Sequence, residues 1–412
     1  MGSPILLFDA KIQRLTSRYL DRWEKTPASI PDRSKRFTPR QQRENEKKLE
    51  SQLQELPSSW KDYDGVPESD RLRIQSRMKK AITGLPLFPQ DAFKDQFFEN
   101  SEIATRSFIR AARDFDPTIG DDDILQALRN LWVFNSIQMI FGQPVSLTPS
   151  SIAYSLLYPY SDNGLDSGVR PEQEKAAGMD WLSLWFEGKE SEAPDLWAEK
   201  IARLLHMIEG EFPRPDFSDL YRSLHAIHRA QRRSLLLHDV PPGADEASLL
   251  AITVEKGGTS VLVDGYLADR RLNDARGDAL FGFGVLLQLA DDLQDLEEDR
   301  NAGHWTPFQQ ALRKGQLQEA TCRLLRFTKD CAAGLQDLVP GRTTSVRRII
   351  ESSCTMLIAE AVARYRDMYR STFLQTFEHS LPLRLAYLRE IKQNLRTQRP
   401  IFPRMENAFA TS

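Results

Sequence analysis

The chain has 412 residues, 41% of them apolar and 9% aromatic, which supplies a sizeable core for one large domain or two ordinary ones. Its net charge of −3, from 55 Lys and Arg against 58 Asp and Glu, gives no overall basic field and makes nucleic acid a poor partner. Cys322, Cys331 and Cys354 are odd in number and lack CxxC spacing, which argues against a disulfide framework or a thiolate metal site and makes a cytoplasmic location the expectation.

The opening MGSPILLFDAKIQRL has too short an apolar run for a secretory signal, and no stretch reaches the roughly 18 apolar residues of a transmembrane segment. Residues 33–56 are strongly charged with sparse leucines, the pattern of a solvated helix or an arm. Pro57, Gly65-Val66-Pro67 and Gly84-Leu85-Pro86 then punctuate the chain, so residues 1–100 are predicted to form a helical extension or cap. From about Ser101 the apolar periodicity predicts helices over 101–114, 121–141, 149–160, 177–186, 194–209, 217–238, 246–269, 275–299, 315–336, 343–377 and 381–395. Runs of period-two, β-branched residues bounded by hairpin signals are lacking. The predicted fold class is therefore all-α, with a helical domain over 101–398 and a tail over 399–412.

The densest chemistry lies in LQLADDLQDLEEDRNAGHWTPF, residues 287–308. At about 100° per residue, Asp291, Asp295 and Asp299 follow one another at four-residue steps, while Leu286, Leu289, Leu293 and Leu296 take the opposite side. Asp292 lies within one turn of Asp295 and competes for the same role. Carboxylates at this density repel one another unless water, shared protons or metal ions separate them, and oxygen-only ligands favour Mg²⁺. A second acidic segment, YPYSDNGLDS, places Asp162 and Asp166 four residues apart, on one face if the segment is helical. Gly164 and Asn163 weaken that helix, and a loop with Asx turns is the alternative.

Taken together, the two segments resemble the paired acidic motifs of the class I isoprenoid synthase superfamily. Asp295-Leu-Glu-Glu-Asp299, with Gly303 and Pro307 beyond it, looks like the second motif of squalene and phytoene synthases, and Asp162 with Asp166 is similar to their first. The wording YPYSDNGLD resembles still more the large bacterial terpene synthases of the tetraprenyl-β-curcumene synthase kind. The resemblance implies a helical bundle around a central apolar cavity, with Asp162, Asp166, Asp291, Asp292, Asp295 and Asp299 holding a cluster of up to three Mg²⁺ ions that binds a linear prenyl diphosphate. It also implies cations for the diphosphate. Arg364-Tyr365 looks like the arginine-tyrosine pair of microbial terpene synthases, and Lys256 beside Gly257-Gly258 sits where a helix break would turn backbone N–H groups toward an anion.

The segment around Lys256 lacks the tyrosine pattern typical of head-to-head synthases, which favours ionisation of one substrate with release of pyrophosphate. Head-to-head condensation is the enzymatic alternative, and a noncatalytic lipid-binding or assembly scaffold is the alternative from another class. His225 and His228 lack a third ligand in sequence, and His304-Trp305 sits where a lid over the metals is expected. Substrate chain length, peripheral membrane contact and homodimer formation stay open.

Overall fold

A computed structural model describes residues 4–31, 36–54, 97–163, 171–189, 192–238, 240–241, 244–336, 338 and 343–397. The described elements begin with α1 (Pro4–Lys25), α2 (Pro39–Gln54), α3 (Phe97–Phe115), α4 (Asp121–Ile140) and α5 (Pro149–Tyr158), which runs on into a π-helical turn at Pro159–Asn163. Next come α6 (Glu172–Phe186), α7 (Leu196–Glu211), α8 (Ser218–Ser234), α9 (Glu246–Ala268), α10 (Asp274–Gln294) and the short α11 (Leu296–Asn301). The last are α12 (Pro307–Arg313), α13 (Leu317–Gln336), α14 (Thr343–Arg364), α15 (Ser371–Glu378) and α16 (Leu385–Thr397). Apart from one isolated antiparallel bridge between His238 and His304, the regular structure of the described residues is helical, as the all-α reading expects. Among them no helix is long and apolar enough to cross a membrane.

The chain divides into two compact units, the first formed by residues 1–25, 111–289 and 297–307 and the second by 26–110, 290–296 and 308–412. The predicted N-terminal extension thus contributes α1 to the first unit and α2 to the second.

The first unit is organised around α9, which is buried on nearly every side from Leu250 to Leu267. A helix apolar all round needs neighbours all round. It packs against α8, α1, α4 and the first part of α10. The approach to α10 is very close, because a Cβ placed on Gly284 would lie 2.1 Å from the carbonyl oxygen of Gly257 and one on Gly258 would lie 2.4 Å from the Phe281 ring. Gly257-Gly258 therefore does not break the helix, contrary to the expectation at Lys256. The glycines sit inside a continuous α9 and serve packing, so their N–H groups belong to the helix and not to an anion site. Tyr19 of α1 fills a notch at Gly282 and donates to the carbonyl of Asp278 at 2.8 Å, while Asp9 pairs with Arg229 at 2.5 Å.

The second unit packs α13 against α14 and α14 against α16. On α13 the buried residues Leu317, Thr321, Leu324, Leu325, Thr328, Cys331 and Leu335 recur at three- and four-residue spacing, the period of one helical face. Glu46 of α2 is 3% exposed and takes hydrogen bonds from both the backbone and the guanidinium of Arg384, the closest at 2.5 Å. Tyr369, Phe373 and Phe377 stack in sequence, and the Tyr369 hydroxyl bonds Thr321 at 2.9 Å. Cys322, Cys331 and Cys354 are buried outside any disulfide, and burial pushes the Cys354 thiol up to about 12, as expected for packing rather than reactive thiols.

Two predicted helices are interrupted. The span 275–299 ends at Gln294 and restarts at Leu296, and 343–377 divides into α14, a 3₁₀ turn at Arg366–Met368 and α15. If the α9–α10 contact is as close as the glycines require, Gly284→Ala should lower stability by about 3 kcal/mol, the upper end for overpacking, because its neighbour is backbone and cannot yield. Gly334→Ala, whose new methyl meets nothing within 4 Å, should instead raise it by about 0.5–1 kcal/mol. Urea denaturation midpoints measure both, and equal midpoints for the two variants would refute the close approach.

Candidate functional site

The first acidic segment is set up by a well-defined helix start. Thr148 accepts from the Ser151 N–H at 3.1 Å while the Ser151 hydroxyl accepts from the Thr148 N–H at 2.9 Å, with Pro149 at the first helical position. The α-helix then stops at Tyr158. Pro159 has no N–H to donate, and the backbone widens into the π turn that contains Asp162. The four-residue spacing argument for Asp162 and Asp166 assumes α-helical pitch through the segment that follows this turn. Asp166 and the Asp162 side chain lie outside the described residues.

The turn is held by Tyr160. Its carbonyl accepts from the Trp197 indole at 2.7 Å, and its hydroxyl donates to Asp116 at 2.5 Å. Asp116 also receives Lys200 and both the backbone and hydroxyl of Thr118, at 3.0 and 2.7 Å for the latter two. Burial works to raise the Asp116 pKa, but the hydrogen bonds from Lys200, Tyr160 and Thr118 outweigh it and hold the carboxyl well below the usual carboxylate range. Nothing in the sequence marked Asp116 as a partner of Tyr160, because 44 residues separate them.

The second acidic segment differs from a straight stripe. Asp291 and Asp292 end α10, Asp295 forms a turn whose N–H still reaches the Asp291 carbonyl at 2.9 Å, and Asp299 belongs to α11. Asp292 is buried at 5% exposure, while Asp291, Asp295 and Asp299 are half-buried. Side-chain donors take the carbonyls on both sides of the interruption. Arg364 and Tyr365 donate to the Gln294 carbonyl at 3.0 and 2.9 Å, and Gln309 donates to that of Leu296. Glu360 completes the cluster, 3.3 Å from Arg364 and 3.2 Å from the Gln294 amide. The arginine-tyrosine pair singled out in the sequence is thus brought to the acidic turn, where it braces the backbone.

Asp299 has its own surroundings, 3.4 Å from His304. His304 stacks on His238 with ring centres 4.7 Å apart, and the buried Trp305 donates its N–H to the Leu237 carbonyl at 2.6 Å. The segment expected as a lid is pinned by this bridge to the 3₁₀ turn at Leu235–Leu237 that follows α8. Lys256 is half-buried on α9, next to Glu255, which pairs with Arg233 at 2.6 Å. Among the described residues no three or more His, Cys, Asp or Glu side chains gather into a metal-holding group. The donor set at 291–295 is nevertheless all-oxygen, the chemistry that suits Mg²⁺.

The first unit contains a pocket of about 40 Å³ between α4, α5, α6, α8 and α9. Leu157, Leu182, Phe186 and Ile227 supply apolar wall, and Asn130, Ser161, His228, Gln231 and Ser260 supply polar groups. A bound prenyl chain needs several hundred Å³, so in this conformation the pocket takes small molecules only. Tyr158 and Ser161 line it from the turn that carries Asp162.

Comparison with protein-family models, with curated proteins and with solved structures returned no match. The functional reading therefore rests on the residues themselves.

Because the folded-state pKa of Asp116 is depressed, its contribution to stability is present above the ordinary carboxylate pKa of about 4 and is lost as pH falls below it. Asp116→Asn should be less stable than the parent at pH 7, and the gap should narrow as pH drops below about 4. Urea midpoints of both proteins across that range provide the check; a gap independent of pH would show that the carboxylate is not what holds the turn.

Proposed function

We propose that the protein is a Mg²⁺-dependent class I terpene synthase that ionises a linear prenyl diphosphate and releases pyrophosphate. The observation that carries this reading is the convergence of Arg364 and Tyr365, seventy residues away in sequence, on the carbonyl at the acidic turn. An arginine, a tyrosine and a glutamine brace the backbone of the turn that carries Asp291, Asp292 and Asp295. Such bracing suits a preorganised ligand set.

Asp291, Asp292 and Asp295 are the candidate ligands from this turn, and Asp162, Asp166 and Asp299 are the further carboxylates expected from the sequence resemblance. When bound, Mg²⁺ supplies positive charge to the departing diphosphate. Lys256 is the candidate side-chain cation for the same group. Arg364 already spends donors on Gln294 and Glu360, so its first task is to position Asp295 and its second is to meet the diphosphate. The reactive cation left behind needs apolar walls and controlled access of water.

Replacing Asp295 tests the assignment. With farnesyl, geranylgeranyl and geranylfarnesyl diphosphates and Mg²⁺, the parent should release pyrophosphate from at least one substrate, and Asp295→Ala should lower that release at least 100-fold with the far-ultraviolet circular dichroism unchanged. Turnover retained in Asp295→Ala would remove the metal site from this turn; a parent silent with all three substrates would remove the function.

A further inference from the structure

Arg364 ends α14 and Glu360 lies one turn earlier on the same helix, and the two form an ion pair at 3.3 Å with side chains 19% and 21% exposed. A pair this far out of water is screened less than a surface one, so each member offsets the other's charge effectively. Each also has a second hold. Arg364 donates to the Gln294 carbonyl at 3.0 Å, and the other Glu360 oxygen accepts from the Gln294 amide at 3.2 Å. The Tyr365 hydroxyl donates to that same carbonyl at 2.9 Å. Withdrawing Arg364 therefore leaves the carbonyl with Tyr365 and leaves Glu360 on the Gln294 amide. The ion pair can open while the turn before Asp295 stays braced.

All of these residues belong to the second unit. Within residues 290–296 and 360–365 the acids are Asp291, Asp292, Asp295 and Glu360, and Arg364 is the single base. An arginine suits a diphosphate because its planar fork matches phosphate oxygens. Here the fork is already engaged by a carboxylate, so a diphosphate arriving alone has to displace Glu360 in a segment that carries three further acids. With those aspartates balanced by Mg²⁺, the displacement meets far less repulsion.

We propose that Glu360 is an electrostatic guard on Arg364 that makes diphosphate binding depend on Mg²⁺. The inference rests on the terpene-synthase reading and adds a regulatory element to the same site. Without metal, Arg364 stays on Glu360 and the turn rejects diphosphate. With metal, one edge of the guanidinium passes from Glu360 to a phosphate oxygen, while Tyr365 and Gln294 keep their hydrogen bonds. Glu360 is thus a positioning residue that acts through Arg364. The guard avoids a dead-end complex, because a diphosphate held without metal lacks the positive charge that its departure requires.

Calorimetric titration of the full chain with inorganic pyrophosphate, once in Mg²⁺ and once in EDTA, tests the guard without requiring turnover. The parent should bind in Mg²⁺ and at least about tenfold more weakly in EDTA. Glu360→Gln keeps the size of the side chain and an acceptor for the Gln294 amide but removes the charge, and it should raise the metal-free affinity by about tenfold. Adding Arg364→Gln to Glu360→Gln should cancel that gain. Misfolding does not produce tighter binding, so the gain separates a guard from a merely structural glutamate. Parent affinity equal in both buffers, metal-free affinity unchanged in Glu360→Gln, or a gain that survives in the double variant would each overturn the inference and leave the proposed function standing. A parent that binds pyrophosphate in neither buffer would overturn the diphosphate site and the inference with it.

Discussion

The contact between Gly257-Gly258 of α9 and Gly284 of α10 is the constraint on which the first unit depends. Ordinary helix pairs stand 8–10 Å apart, separated by side chains. Here a methyl on Gly284 would fall inside van der Waals range of the Gly257 carbonyl, so the two backbones themselves are in contact. That contact fixes the rotation of α9, since turning it by one residue would drive a side chain into α10. With the rotation set, Ser260 reaches the pocket, Asp264 points into the interior, and Thr259 satisfies its hydroxyl on the Glu255 carbonyl at 2.6 Å. Large residues on α8 and α1, Leu224, Ile227 and Tyr19 among them, complete the packing.

Some of this was legible in the sequence and some was not, for physical reasons that differ by residue. Apolar periodicity gave the helical class because the burial stripe of an amphipathic helix repeats at three and four residues, as on α13. The same periodicity hid the interruption at Asp295, because Leu293 and Leu296 keep an apolar spacing on both sides of it while the break is stabilised by Arg364, Tyr365 and Gln309 from distant sequence. Gly257-Gly258 read as a helix break because glycine disfavours helices in isolation, by about 1 kcal/mol. Tertiary packing against Phe281 and Gly284 reverses that preference, and a single sequence does not display the partner face. Arg364-Tyr365 was visible as a dipeptide, but its attachment to Gln294 required the fold.

Two buried carboxyl groups in the first unit have opposite protonation chemistry. Asp116 is ringed by donors from Lys200, Tyr160 and Thr118, so it stays charged and anchors the turn ahead of Asp162. Asp264 is fully buried on α9 with a single long hydrogen bond from Asn130 at 3.4 Å, and burial drives its pKa far upward against the small opposing effect of that amide. Ionised, it would be an uncompensated charge in the interior; protonated, it is a neutral polar group.

That neutrality bears on the pocket. Among the described residues that line it there is no Asp, Glu, Lys or Arg, and its histidine is held neutral by burial. Asn130 links the lining to Asp264, whose raised pKa keeps the next layer uncharged as well. A wall of apolar side chains carrying a few neutral hydrogen-bonding atoms can orient water without holding charge of its own.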